Sequence, residues 1–255
     1  MYIDTHVHLN NLDLYSKLDE VLNNAIKEKV ELFIVPGYDL ETSKMALDIA
    51  QKYPFVYATI GFHPTEIKNY TEKEYNWLEE NVNNSKVVAI GEVGFDFHWD
   101  TTTKEEQEYA FVRQIEIAKK ANKPLVIHSR DAIQLTYDTL RKYNASCVGG
   151  VMHCYSGSLE MAPLFIKENF YLGIDGPVTF NNAKEIVKVV KEVPLEYLVS
   201  ETDSPYLTPH PYRGKENQPK YIPLIMEKIA SIKEMDIDEV SKVMLENAKK
   251  LFRLE

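Results

Sequence analysis

Eight short β-branched runs alternate with amphipathic stretches along the chain, and this alternation constrains the fold more than any other feature. The runs are YIDTHVH (2–8), LFIVPG (32–37), VYATIGFH (56–63), VVAIGEVG (87–94), PLVIHS (124–129), CVGGVMHC (147–154), FYLGID (170–175) and YLVSETD (197–203). A spacing of roughly 30 residues suits a repeated βα unit. Between the runs, residues 18–29 place Leu18, Val21, Leu22, Ala25 and Ile26 on one helical face. Residues 108–122 are long and periodic, and Thr71-x-x-Glu74 and Thr103-x-x-Glu106 fit the capping box. Residues 221–233 and 236–252 read as two closing helices, the second opened by Asp236-x-x-Glu239. Strict alternation argues for a parallel sheet. No linker, low-complexity tract or composition break divides residues 1–255, so one unit is expected, of a length usual for a β/α barrel.

The placement of polar residues decides between an open sheet and a closed barrel. His6 and His8 end the first run, His63 the third, Glu92 the fourth, His128 the fifth, His153 the sixth and Asp203 the eighth. An open sheet would scatter these ends over about eight strand spacings of 4.8 Å. A barrel gathers them at one rim, where barrel enzymes keep their active sites. The expected fold is therefore α/β, a single (β/α)8 TIM barrel.

In a strand, residues i and i+2 share a face. DTHVH (4–8) thus projects His6 and His8 together with Asp4 behind them, and Glu201 and Asp203 repeat the geometry. Paired imidazoles are natural metal ligands. The candidate ligands are His6, His8, Glu92, His128, His153 and Asp203, more than the four of a structural zinc site. Such a set suits two divalent cations about 3.5–4 Å apart. Glu92 is the best bridge, because its strand faces both the first and the fifth. Without sulfur ligands Zn²⁺, Mn²⁺ and Mg²⁺ all stay open, and the histidines favour the first two. A lone strand-end histidine is more often a hydrogen-bonded bystander, but five of the seven histidines fall at strand ends. His98 and His210 read as solvated loop residues. Cys154, next to His153, should point away as a small core residue. Most tyrosines read as packing, with some at the rim free to stack on nucleobases.

Composition narrows the partners. Apolar residues make up 44%, enough for a large core without disulfides. On one extended strand Cys147 and Cys154 would stand about 23 Å apart, against the roughly 7 Å limit of a disulfide. Two free thiols in a reducing compartment are expected. No membrane span or signal-peptide pattern is readable, so a cytoplasmic protein is the expectation. The net charge of −10 argues against a protein that coats DNA by counter-ion release. It leaves room for an enzyme that touches few phosphates and borrows positive charge from metal ions.

The motifs DTHVHL, GFHP, GEVGFD, EEQ with FVRQ, PLVIHSRDA, HCYSGS, ETDSPYL, RGKENQP and ENAKKLF follow one another in this order. In this the chain resembles, end to end, the TatD family of metal-dependent deoxyribonucleases. The resemblance implies a metallo-dependent hydrolase barrel with a two-metal site on the same six ligands. It implies hydrolysis of DNA phosphodiesters, commonly exonucleolytic and 3′-to-5′, on single strands or chain ends. Some similar proteins are linked to other esters, including D-aminoacyl-tRNA. The family pattern continues HxHLD where this chain reads HVHLN, so Asn10 should affect loop packing rather than metal binding.

On this reading the two ions lower the pKa of a bridging water from about 15.7 toward about 7. Asp203 holds one ion and takes the water's proton, with Glu92 as the second catalytic carboxylate. His63 contacts the scissile phosphate or leaving group. Arg130, Arg213 and Lys215 hold flanking phosphates, and Ser129 and Asp131 orient His128. The plainer reading of Arg130 is a structural ion pair. A monomer is favoured. One rival is a barrel hydrolase of lactones, amides or phosphotriesters, but such enzymes often bridge their metals with a modified lysine where this chain has Glu92. Another is a non-catalytic partner of the export machinery, which has no need for six convergent ligands.

Overall fold

A computed structural model describes residues 1–254. Eight parallel strands run in chain order: β1 (Tyr2–Asp4), β2 (Val30–Pro36), β3 (Val56–Ile60), β4 (Val87–Asp96), β5 (Leu125–Arg130), β6 (Gly150–Met152), β7 (Phe170–Ile174) and β8 (Leu198–Ser200). Hydrogen bonds from Thr5 N–H to the Ser200 carbonyl (3.0 Å) and from Ser200 Oγ to the Ile3 carbonyl (3.0 Å) close the seam between β8 and β1. A parallel bridge between Val7 and Ser204 extends the seam upward.

Each strand is flanked by helices whose apolar faces cover the barrel. The helix Leu18–Lys27 buries Leu18, Val21, Leu22 and Ala25, while Ile26, predicted on the same face, is exposed at its edge. Both predicted capping boxes form, at Thr71 with Glu74 and at Thr103 with Glu106. A third, at Asp39 with Thr42, opens the helix Leu40–Lys52. The closing helices are Ile222–Lys233 and Ile237–Phe252. Among the described residues no helix is long and apolar enough to cross a membrane.

Ile34, Val126, Val151 and Val199 come from β2, β5, β6 and β8, of which only β5 and β6 are neighbours in the sheet, so the four meet across the barrel interior. They form a buried core with Leu251 and Phe252 of the last helix. Packing the lower interior this way leaves polar side chains to the strands' C-terminal mouth. Gly94 (φ +144°) lets β4 approach β5 so closely that a Cβ there would collide with the His128 carbonyl.

Several strands are shorter than predicted. β1 stops at Asp4 and β8 at Ser200, and residues 145–147 form a 3₁₀ turn, so Cys147 is not on β6. The extended-strand distance between the cysteines therefore does not apply, although both are free. The chain leaves the ladder where it must turn. Cys154 and Asp203 adopt left-handed backbone conformations (φ 44° and 56°), sparsely populated for residues with a Cβ.

Candidate metal centre

The mouth is built from the seam outward. Asp203 N–H donates to the His6 carbonyl (2.9 Å), and His8 N–H donates to the Ser204 carbonyl (2.9 Å). The turn at Asp203 aims its carboxylate at His8, whose Nε2 lies 3.1 Å from Oδ1. Although both histidines lie past the end of β1, their rings stand side by side, 5.0 Å between centroids. His6 also stacks on His153, with centroids 3.6 Å apart and planes 12° off parallel. Asp4, behind them, is buried and accepts from Thr202 N–H (2.9 Å) and Thr202 Oγ1 (2.6 Å), which locks the seam from below.

Glu92 sits at the centre. Its Oε2 lies 3.4 Å from His6 Nε2. Its Oε1 faces His128 Nδ1 (2.9 Å), His153 Nε2 (3.7 Å) and His63 Nε2 (3.8 Å). All six predicted ligands are thus brought together, and His63 joins them.

Two further carboxylates, not assigned from sequence, set the imidazoles. Glu201 Oε1 lies 3.1 Å from His153 Nδ1, which turns His153 Nε2 inward. Gly173 makes the room, since a Cβ there would meet the Glu201 carboxylate at 2.5 Å. Asp96 Oδ2 lies 2.9 Å from His128 Nε2, which turns His128 Nδ1 toward Glu92. A carboxylate behind each imidazole fixes its tautomer and its ring orientation. Asp96 closes the GEVGFD motif, and Glu201 precedes Asp203 by two, so spacing was the available signal.

Charge is shared across the cluster. Burial alone would raise the Glu92 carboxyl, but His153, His128 and His6 around it hold it well below the usual carboxylate range. Asp203 behaves alike: burial pushes up, and His8 and His153 bring it below its ordinary value. Burial would depress His153, yet Glu201, Glu92 and Asp203 raise it to about 10. Burial, then the charge on His128, drives His63 down to about 3, so its imidazole is neutral.

The donor set fits a divalent cation. His6 Nε2, His8 Nδ1 and Glu201 Oε2 are buried polar atoms without a hydrogen-bond partner. Leaving such atoms unpaired is costly. One group of candidate ligand atoms comes from His6, His8 and Asp203, a second from His63, Glu92 and His128, and a third from His6, His153 and Glu201, each mutually within 4.8 Å.

Other predicted residues lie elsewhere. Ser129 Oγ bonds Thr136 Oγ1 (2.9 Å), and the nearest basic partner of Asp131 is His98 (3.8 Å). Neither orients His128, because Glu92 and Asp96 already occupy both of its ring nitrogens. Arg130 ends β5, is exposed at the cleft wall, and has no carboxylate partner among the described residues. Arg213 packs over Phe180 (4.1 Å) and Lys215 over Tyr212 (5.5 Å), and neither lines the cleft. Cys154 does not point away. With the strand ended at Met152, its left-handed turn brings it to the cleft, where burial raises the pKa of its thiol. Asn10 ties the loop after β1 to its neighbours, donating to the Pro36 carbonyl (2.8 Å) and the Thr42 carbonyl (3.0 Å). His210 is exposed, and His98 is half exposed against the Trp99 indole.

Barrels with imidazoles and carboxylates at this rim support metal-assisted hydrolysis, which places the chain in the class of metal-dependent hydrolases. Within that class, a family profile described as TatD related DNase matches residues 3–253, and the chain belongs to this family. It is 46% identical to the uncharacterized metal-dependent hydrolase YabD of Bacillus subtilis (strain 168), covering 100% of both chains. It is 36% identical to the uncharacterized metal-dependent hydrolase MJ1582 of Methanocaldococcus jannaschii, covering 99% of this chain and 97% of that one. The crystal structure of YJJV, a TatD homolog from Escherichia coli K12, superposes with a TM-score of 0.95 at 27% identity, covering 100% of this chain and 98% of that one. A mutant PTE-like lactonase from Deinococcus radiodurans shares the fold, with a TM-score of 0.68 at 10% identity over 98% of this chain and 95% of that one.

Proposed function

We propose that this chain hydrolyses DNA phosphodiesters with two divalent cations, working on single-stranded DNA or at chain ends. The observation that carries the reading is Glu92. One of its oxygens faces His6 and the other faces His128, His153 and His63, so one buried carboxylate addresses both halves of the cluster. His6, His8, Glu92, His128, His153 and Asp203 would hold the cations, zinc or manganese before magnesium given the imidazole donors. Bound there, the cations would supply Lewis acidity toward a phosphoryl oxygen and make water acidic enough to ionise near neutral pH.

The chain's own residues do the rest. Asp203, kept ionised by the imidazoles around it, accepts the attacking water's proton at its carboxylate. Glu201 and Asp96 keep His153 Nε2 and His128 Nδ1 turned to the centre. The neutral His63 ring, its Nδ1 2.7 Å from Thr65 Oγ1, contacts the scissile phosphate through Nε2. Arg130 holds a neighbouring phosphate with its planar fork.

The test is metal analysis of the purified protein together with a product ladder from end-labelled single-stranded DNA. Two cations per chain and metal-dependent shortening from the 3′ end are expected. A protein that turns over lactones or amides while leaving DNA intact refutes the reading.

A further inference from the structure

The cleft above the cluster has a volume of about 1280 Å³. That exceeds the roughly 300–1,000 Å³ of small-molecule pockets. Its walls offer a polyanion little positive charge. Glu92, Asp96 and Asp203 belong to the floor, Glu66 and Asp131 stand on the walls, and among the described residues Arg130 is the sole lysine or arginine lining the cleft. Cations at the floor would offset the charge at the cleaved phosphate, but not along the walls. A strand held by its phosphates alone would find little to hold it.

The walls offer aromatic rings. Phe97 and Trp99 are 42% and 56% exposed on one side, and Tyr206 is 54% exposed on the other. The first pair follows β4 and the tyrosine follows β8, strands that stand across the barrel from each other. Rings this exposed beside a polar centre mark a binding surface more than a packing remnant. The β4 turn is also fixed. Asp96 Oδ1 accepts from the backbone N–H of His98 (2.9 Å) and of Trp99 (3.2 Å), while its Oδ2 faces His128. One buried carboxylate therefore ties the Trp99 backbone to His128 and the centre. Phe97 leans on buried Phe95, with ring centroids 5.8 Å apart.

Building on the phosphodiesterase reading, we propose that Trp99 is a base-stacking platform that selects unpaired nucleotides. A base next to the scissile phosphate lies on the indole with Phe97 beside it, and Tyr206 receives a base on the far side. Stacking serves any base, because every base has a π-face, and it requires that the base be unpaired. The cleft thus selects single strands and frayed ends over duplex, and its binding depends weakly on salt. With two or three phosphates neutralised, log K falls with log salt at a slope of about −2, against about −4 for a groove that neutralises six.

The experiment uses the metal-loaded protein and two cleavage-resistant phosphorothioate 12-mers of equal charge, oligothymidine and its abasic counterpart. Indole fluorescence is the readout, and the difference between parent and Trp99→Ala isolates Trp99 from the half-buried Trp77. Oligothymidine should quench Trp99 saturably and the abasic strand should not. Trp99→Ala should weaken oligothymidine binding by about 5- to 150-fold, leave abasic binding within about twofold, and keep the parent melting temperature. Trp99→Phe should restore most of the loss. Equal losses on both strands, or unchanged oligothymidine affinity in a parent that cleaves DNA, overturn the platform alone. A parent that neither binds nor cleaves DNA overturns the phosphodiesterase reading, and the platform with it.

Discussion

Replacing Asp96 with asparagine tests how the centre is oriented. Asp96 is 1% exposed and uses both oxygens: Oδ1 accepts from two backbone N–H groups of the Trp99 turn, and Oδ2 meets His128 Nε2 at 2.9 Å. Asparagine has the same size, and its carbonyl oxygen can still serve the turn. Its amide nitrogen then falls opposite His128 Nε2. That nitrogen donates only, so His128 must accept at Nε2 and carry its proton on Nδ1. Nδ1 is the atom 2.9 Å from Glu92 Oε1, facing the centre. A ring nitrogen with a proton cannot bind a cation. Losing such an orienting partner costs about 10- to 100-fold in metal affinity, or about 1.4–2.7 kcal/mol. Titration calorimetry of Zn²⁺ into chelator-treated protein measures it. Glu201→Gln is the internal contrast. Its two donors, His153 Nδ1 and Cys154 N–H, fall on the same oxygen, so a glutamine carbonyl can keep both. The loss should be smaller there. If Asp96→Asn binds zinc as the parent does, or Glu201→Gln is the more damaged, the orientation argument is wrong.

Other outcomes follow from the same geometry. Asp203→Asn should lower kcat by about 10²- to 10⁴-fold and change KM little in a steady-state assay on single-stranded DNA; parent-level turnover would rule out Asp203 as the base. Stripping cations with a chelator should lower the melting temperature in scanning fluorimetry, since a cation at 1,000 times its Kd stabilises by about 4 kcal/mol. No shift would mean that the orphaned imidazole nitrogens are not cation ligands. Hydrogen exchange should show slower exchange at the amides of Thr5, His8 and Asp203 when cations are bound, because these donors close the seam beneath the ligands; unchanged rates would uncouple seam from site.

The fold and the convergence of the inner histidines and carboxylates were legible because each rests on a local pattern. Period-2 runs ending in His or an acid, alternating with capped helices, define a barrel and its chemical rim. Strand ends and what lies behind the ligands were less legible. Alternation assumes that the strand continues, but the chain turns through left-handed conformations at Cys154 and Asp203. This sent Cys154 to the cleft against expectation. Orientation of His128 was assigned to its sequence neighbours Ser129 and Asp131, whereas the residue that does it, Asp96, is 32 positions away across the β4–β5 ladder. Likewise the basic stretch at Arg213 and Lys215 suggested phosphate contacts by composition, and only the folded loop turns these cations onto Phe180 and Tyr212. Contacts between strands follow register, and register is a property of the closed barrel.

Closure of the barrel and assembly of the centre are the same event. The segments that follow the first and last strands supply His6, His8, Glu201 and Asp203, residues some 195 positions apart in the chain, and the hydrogen bonds that join them run directly under these side chains. An unclosed barrel would still bury most of its apolar core between strands and helices, but it would split His8 from Asp203 and Asp4 from Thr202. Closing the barrel buries Asp4, whose carboxyl burial pushes well above the usual range, and in the same step brings the Thr202 donors that offset part of that rise. Polar groups that oppose burial when alone thus favour one register of closure when together. That explains why a chain with ample apolar surface places its least soluble charges at its seam: they select the arrangement in which hydrolysis is possible.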